Sequence, residues 1–127
     1  MESTTENFLE LIIEKEHVRV LKYIMDVISS KPFCKIVFDS TTCEENKCVI
    51  YFYPFNENKN YDFCINLDFI KLRHFKCKIP KLSIVTNLEL LSERIHEINI
   101  NDPMILYIKD PNSQIFIYNL DENNNHY

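Results

Sequence analysis

The chain has 127 residues, of which 46% are hydrophobic and 26% charged, a balance that excludes a disordered polymer and suffices for one domain with its own core. Its formal charge of −5 excludes a surface coated with nucleic-acid contacts, and no apolar run approaches the roughly 20 residues of a membrane span. It contains no glycine, which excludes the standard P-loop, dinucleotide-binding turn and nucleophile elbow, all of which need backbone close to a ligand or at positive φ.

Phe8–Ile13 reads as a first strand. Val18, Leu21, Met25 and Ile28, with Ile24, then form one apolar helix face, and Ser29-Ser30-Lys31-Pro32 ends that helix. Phe33–Phe38 and Cys48–Tyr53 are strands joined by a hairpin through Glu44–Lys47. Tyr61, Phe63, Ile65, Leu67 and Phe69 alternate with mostly polar neighbours, the pattern of a half-buried strand. Phe75–Val85 reads as one extended segment in which Pro80 marks an edge or bulge. Asn87 is a suitable N-cap for a second helix whose core face is Leu88, Leu91, Ile95 and Ile98. Met104–Ile108 and Gln114–Tyr118 make a last hairpin across Asp110–Ser113, and Asp121–Tyr127 is a polar tail expected to fray. Without glycine, Asn and Asp must make the tight turns, with Asn56–Asn60 and Asn99–Pro103 as the expected examples.

The strand–helix–strands plan thus occurs twice, with the helix starts Val18 and Leu88 separated by 88 − 18 = 70 residues. The expected fold is α+β: two helices on one face of a curved, mostly antiparallel sheet, in a single domain over residues 1–127, ordered over roughly 8–121.

Five cysteines, Cys34, Cys43, Cys48, Cys64 and Cys77, are an odd number, and Met1–Glu6 shows neither a basic region nor an apolar signal core. Reduced thiols and an intracellular location are therefore expected. Cys43, Cys48, His74 and Cys77 could be imagined around zinc, but three-residue spacing on a strand puts His74 and Cys77 on opposite faces. No metal, cofactor or structural disulfide is expected. No paired carboxylates, Cys–His pair or triad is recognisable among the scattered histidines His17, His74, His96 and His126.

With these residues, the element order resembles the N-terminal domain of the proliferating-cell-nuclear-antigen type of DNA sliding clamp. The most specific stretch is Phe75-Lys76-Cys77-Lys78-Ile79-Pro80 leading into Ile84-Val85-Thr86-Asn87-Leu88-Glu89-Leu90-Leu91, and Val20–Asp26 echoes the family's first channel helix. The resemblance implies a clamp-like ring, non-enzymatic, that tethers replication or repair proteins to double-stranded DNA by topology and captures them through short peptides, in a nucleus or at a viral replication site. The chain departs from that family in lacking the second domain and connector, the final edge strand after Leu120, and a basic second helix. It reads either as a piece of a longer subunit or as a reduced relative.

Lys15, Arg19 and Lys22 share one helix face and are the candidate phosphate contacts; a solvated face is their ordinary alternative. Glu89, Glu93 and Glu97 give the second helix an acidic face that would repel phosphate. Tyr53, Phe55, Tyr61 and Phe63 flank a polar loop and are the candidate partner-binding aromatics, with core packing as the alternative. Two other classes compete with the clamp: a small α+β adaptor, such as a viral one, unrelated to DNA, and a thiol-dependent enzyme using one cysteine.

Overall fold

The computed structural model describes residues 7–41, 47–58, 63–69, 72–112, 114–123 and 125–127. The elements run β1 (Leu9–Ile13), α1 (Lys15–Ile28), β2 (Phe33–Asp39), β3 (Cys48–Phe55), β4 (Ile65–Phe69), β5 (His74–Cys77), β6 (Lys81–Asn87), α2 (Leu88–His96), β7 (Met104–Ile108) and β8 (Ile115–Asn119). The α+β class expected from the sequence is the observed one.

The strands form two four-stranded antiparallel sheets, β5-β1-β7-β8 and β4-β3-β2-β6, where the sequence pattern suggested one curved sheet. The difference originates at Pro80. Phe75–Val85, read as one extended run, bends at Lys78–Pro80, so that β5 pairs with β1 in one sheet and β6 with β2 in the other. Proline cannot donate to a ladder, so the ladder parts there. Each helix is bracketed by strands of different sheets: β1 precedes α1 but pairs with β7, and β6 precedes α2 but pairs with β2.

The apolar face of α1 packs as its spacing dictates, with Val18, Leu21, Ile24, Met25 and Ile28 all buried. The helix begins at Lys15, one turn ahead of the apolar pattern, behind Glu14 in extended conformation. On α2 the Asn87 side chain accepts a hydrogen bond from Leu90 N at 3.1 Å, a cap worth about 1 kcal/mol. Leu88, Leu91 and Ile95 are buried, as is Ile98 just past the helix. The helices lie side by side and antiparallel: Asp26 and Lys22 of α1 reach His96 at the end of α2, while Ser29 and Ser30 share a shallow cavity with Asn87 and Glu89 at its start. One core joins both helices to the inner faces of both sheets; Leu21, Leu91 and Ile95 meet Ile13, Leu106, Ile36, Phe38, Ile50 and Phe52 in its centre. At about 1.5–3 kcal/mol per buried aliphatic side chain, this shared layer dominates the stability of the fold.

Turns use Asn and Asp as the absence of glycine requires. Asp39 Oδ1 accepts from Thr41 N (3.0 Å), Asn99 Oδ1 from Asn101 N (2.9 Å), Asp110 Oδ1 from Asn112 N (2.9 Å) and Asp121 Oδ1 from Asn123 N (2.8 Å). Asn119 adds a longer-range pin. It is 3% exposed, accepts from Asn99 N at 2.8 Å and donates to Asn99 O at 3.0 Å, tying the α2–β7 connection to β8. The C-terminal tail, expected to fray, instead folds back. Tyr127 N donates to Asn119 O (3.0 Å), Leu120 bridges His126, and the Tyr127 hydroxyl bonds the Asp102 carboxylate.

Candidate nucleic-acid and partner surfaces

At about 100° per helical residue, Lys15, Arg19 and Lys22 fall within about 60° of one another around α1. The side chains divide by environment. Lys15 and Arg19 are exposed, whereas Lys22 is half-buried and its Nζ donates to the His96 carbonyl oxygen at 3.1 Å. That carbonyl is in the last turn of α2, where unsatisfied C=O groups and the negative end of the helix dipole favour a cation. Lys22 therefore holds the two helices together, leaving Lys15 and Arg19 as the exposed cations of this face.

His96 reinforces the same seam. Its Nδ1 lies 2.7 Å from the Ser92 carbonyl oxygen and its Nε2 lies 2.8 Å from Asp26 Oδ1. Along α2, Glu89, Glu93 and Glu97 are exposed, and Arg94 is the exposed cation among them. Thus the helix layer presents an acidic surface on α2 beside the cations of α1.

The four aromatic candidates have different fates. Phe55 is 5% exposed and stacks on Phe33, directly opposite in the ladder, with ring centroids 5.5 Å apart. It is a packing residue, held in place by the core rather than offered to a partner. Phe63 is 40% exposed. Tyr53 is half-buried, stacks on Tyr51 at 6.3 Å and lies under the Lys35 ammonium, 5.4 Å from the ring centroid. Burial, followed by a hydrogen bond with Cys64, raises the Tyr53 hydroxyl pKa. Tyr61 lies outside the described residues. The structure therefore brings Tyr53 together with Tyr51 and Lys35 on the outer face of β2–β3, a group whose signal in the sequence is the alternation of Tyr51 and Tyr53. A second outer ladder is formed by residues that the sequence marks only as strand: Tyr107 stacks on Phe116 (5.0 Å) and Tyr118 (6.2 Å), Tyr118 meets His126 (4.8 Å), and Lys109 covers Phe116 at 5.0 Å.

Glu10, His74 and Lys76 lie on the outer face of β1–β5. Partial burial pushes the Glu10 pKa up. Hydrogen bonds with Asn7 and His74, and the charges of His74 and Lys76, pull it further down, leaving it below the ordinary carboxylate value. The Glu10–His74 pair is 2.7 Å long. The deep thiols are poorly suited to nucleophilic chemistry: burial pushes Cys34 and Cys48 up to about 12, and burial also raises Cys77. Cys34, Cys48, Cys64 and Cys77 are free thiols, and Cys43 lies outside the described residues. Among the described residues, no three His, Cys, Asp or Glu side chains gather around a common point fit for a metal. No helix among them is long and apolar enough to cross a membrane.

These surfaces define an α+β protein with two paired helices behind two antiparallel sheets. No family model matches the chain. It is 41% identical over 128 aligned residues to an uncharacterized protein of Acanthamoeba polyphaga mimivirus, an alignment that covers 100% of this chain and 91% of the viral protein. The chain belongs to the family of that mimivirus protein.

Proposed function

We propose that this protein is a non-enzymatic, sliding-clamp-like platform acting in DNA replication or repair; its relative is a mimivirus protein, which supports a viral setting. The observation that carries the reading is the exchange of strands between two equivalent units. Leu9, Leu11 and Ile13 lie across from Ile108, Leu106 and Met104, while Leu82, Ile84 and Thr86 lie across from Phe38, Ile36 and Cys34. The β2 and β7 positions differ by a constant 70 (108 − 38, 106 − 36, 104 − 34). The same offset relates the buried residues Val18, Leu21, Met25 and Ile28 to Leu88, Leu91, Ile95 and Ile98. Duplication of one strand–helix–strands unit accounts for both coincidences, and side-by-side helices backed by sheets are the arrangement the clamp resemblance implies.

On this reading the helices face DNA, with Lys15 and Arg19 making sequence-independent phosphate contacts. The outer edges of β4 and β8, each with one partner strand among the described residues, join copies head to tail into a ring. The outer surface around Tyr51, Tyr53 and Phe63 receives partner peptides. The acidic surface of α2 and the charge of −5 keep a lone copy weakly bound, so retention depends on ring closure. That same acidic surface supports a second reading, a protein adaptor that never meets DNA.

The test is retention on circular against linear duplex DNA, with wild type and Lys15→Ala/Arg19→Ala. Expected are preferential retention on the circle and a salt slope flattened by about two units in the double variant, one for each phosphate no longer neutralised. Equal retention on both topologies, unaffected by the substitutions, would eliminate the clamp and leave the adaptor.

A further inference from the structure

The two halves of the strand exchange differ in one place. In the first half, β5 lies on the outer edge of β1, with Cys77, Lys76, Phe75 and His74 opposite Leu9, Glu10, Leu11 and Ile12. Cys77 at its end lies near Cys48 at the start of β3. The residues of β6 that correspond to Leu9–Ile12, by their pairing with β2, are Leu82, Ser83, Ile84 and Val85. Among the described residues, their outer edge carries no strand. In the place β5 would take lies a groove of about 340 Å³, lined by Ser83–Thr86 on one side and Pro111, Asn112, Gln114 and Ile115, at the start of β8, on the other.

Burial agrees with an unfilled position. Leu11 is fully buried beneath β5, whereas its counterpart Ile84 is only partly buried. Val85 and Leu90 at the helix end of the groove are 63% and 59% exposed. Among the described residues the outer edge of β6 has no partner strand, a setting in which an extended segment gains ladder hydrogen bonds beside a largely polar groove.

The chemistry of the occupant follows from the filled half. Phe75 and Cys77, alternate residues of β5, pack against the core. At the N-terminal end of β5, Arg73 makes a two-point pair with Glu14 at the start of α1, with Nη2–Oε1 at 2.8 Å and Nε–Oε2 at 2.9 Å. In the open groove the charged side chain at the helix end is Arg94, which makes no ion pair with another described residue.

We propose that the groove between β6 and β8 is a docking site for an extended segment of a partner protein. The segment adds antiparallel to β6 and carries an acidic residue followed by apolar residues two and four positions later. Its acidic end meets Arg94, and its apolar residues lie opposite Ile84 and Leu82. Docking rests on strand pairing and groove chemistry alone. It needs no contact with DNA, so it survives if the clamp reading fails.

The probe is a fluorescein-labelled acetyl-Asp-Thr-Ile-Thr-Val-Thr amide, compared with the same peptide beginning with Lys, by fluorescence anisotropy and by amide chemical shifts of the full chain. Expected is saturable binding of the Asp peptide, with shifts confined to Leu82–Thr86 and Gln114–Ile117. Wild type should prefer the Asp peptide by about fivefold, the upper range for an exposed ion pair, and Arg94→Glu should invert that preference. Inversion, unlike simple loss, requires a folded variant. The proposal is overturned by no saturation up to about 1 mM peptide, by shifts centred on α1 or on the β4 edge, or by a preference that Arg94→Glu leaves unchanged. A dimer whose β6 amides are protected without peptide would also overturn it, by assigning the groove to a second copy.

Discussion

The pin formed by Asn119 predicts a distinct stability signature. Asn119→Ala removes one acceptor and one donor, aimed at the main-chain N and O of Asn99 at 2.8 and 3.0 Å. Each bond contributes about 1 kcal/mol net, and because Asn99 is exposed, water takes over part of its lost pairing. The expected loss is about 2 kcal/mol. With an unfolding entropy near 2.1 cal/mol/K per residue, a 127-residue domain has about 0.27 kcal/mol/K, so the melting temperature should fall by about 7 °C. Asn99→Ala is the control. The Asn119 bonds run to the Asn99 main chain, so that variant loses the turn bond to Asn101 N and an exposed contact with the Tyr127 hydroxyl, and should cost about 1 kcal/mol. Asn119→Asp keeps the acceptor but buries a carboxylate against the Asn99 carbonyl, and should be at least as damaging as alanine. Calorimetric melting of the three variants decides the matter. If Asn119→Ala shifts the midpoint by less than about 2 °C, or Asn99→Ala is the worse of the two, the pin is not what holds this connection.

Glu10→Gln should lower the melting temperature at neutral pH. The folded-state pKa of Glu10 is depressed below the ordinary 4.5, so its contribution is fully present above that value and is lost as pH falls through the folded pKa; a gap between variant and wild type that persists unchanged in acid would contradict this assignment. Cys64→Ser should remove one equivalent from the fast phase of a native thiol titration at pH 8, whereas Cys34→Ser and Cys48→Ser should not. With thiol pKa values of about 12, only about one part in ten thousand of each deep thiol is ionised there. Lys22→Met should cost about 0.5 kcal/mol through the missing tether to His96 and should leave the salt dependence of any DNA binding unchanged, in contrast to Lys15→Ala/Arg19→Ala; a flattened slope from Lys22→Met would return Lys22 to the phosphate-facing set.

Periodicity makes the elements legible because burial on one face enforces it. The buried positions of α1 and α2 are those their spacing marks, and β7 and β8 alternate strictly between buried and half-buried. Periodicity carries no information about which strand is the neighbour. The split at Pro80 therefore looks in sequence like a bulge in one strand rather than a change of sheet. The role of Phe55 is hidden for a related reason. It follows Pro54, where the in–out alternation of β3 breaks, and its burial depends on Phe33, a residue 22 positions away (55 − 33) that only the ladder register brings opposite. Lys22 looks like a free cation in sequence because its acceptor, the His96 carbonyl, is 74 residues along the chain.

What distinguishes the two halves bears most directly on function. On the proposed duplication, packing constraints act alike on both units, since the buried residues of α1 match those of α2 and Ile98 at an offset of 70. The differences fall on surfaces that packing does not constrain. One half has exposed Lys15 and Arg19 on its helix and a filled β5 position; the other has Glu89, Glu93 and Glu97 on its helix and an open groove beside Arg94. Since neither the exposed acidic side chains of α2 nor the open edge stabilises the fold, the second half is where binding specificity has the most room. A β6 edge left open at exposed Val85 also invites indiscriminate pairing between molecules, a cost that a dedicated partner strand would offset. On this argument the groove between β6 and β8, more than the cations of α1, is the feature whose loss should separate a functional chain from one that merely folds.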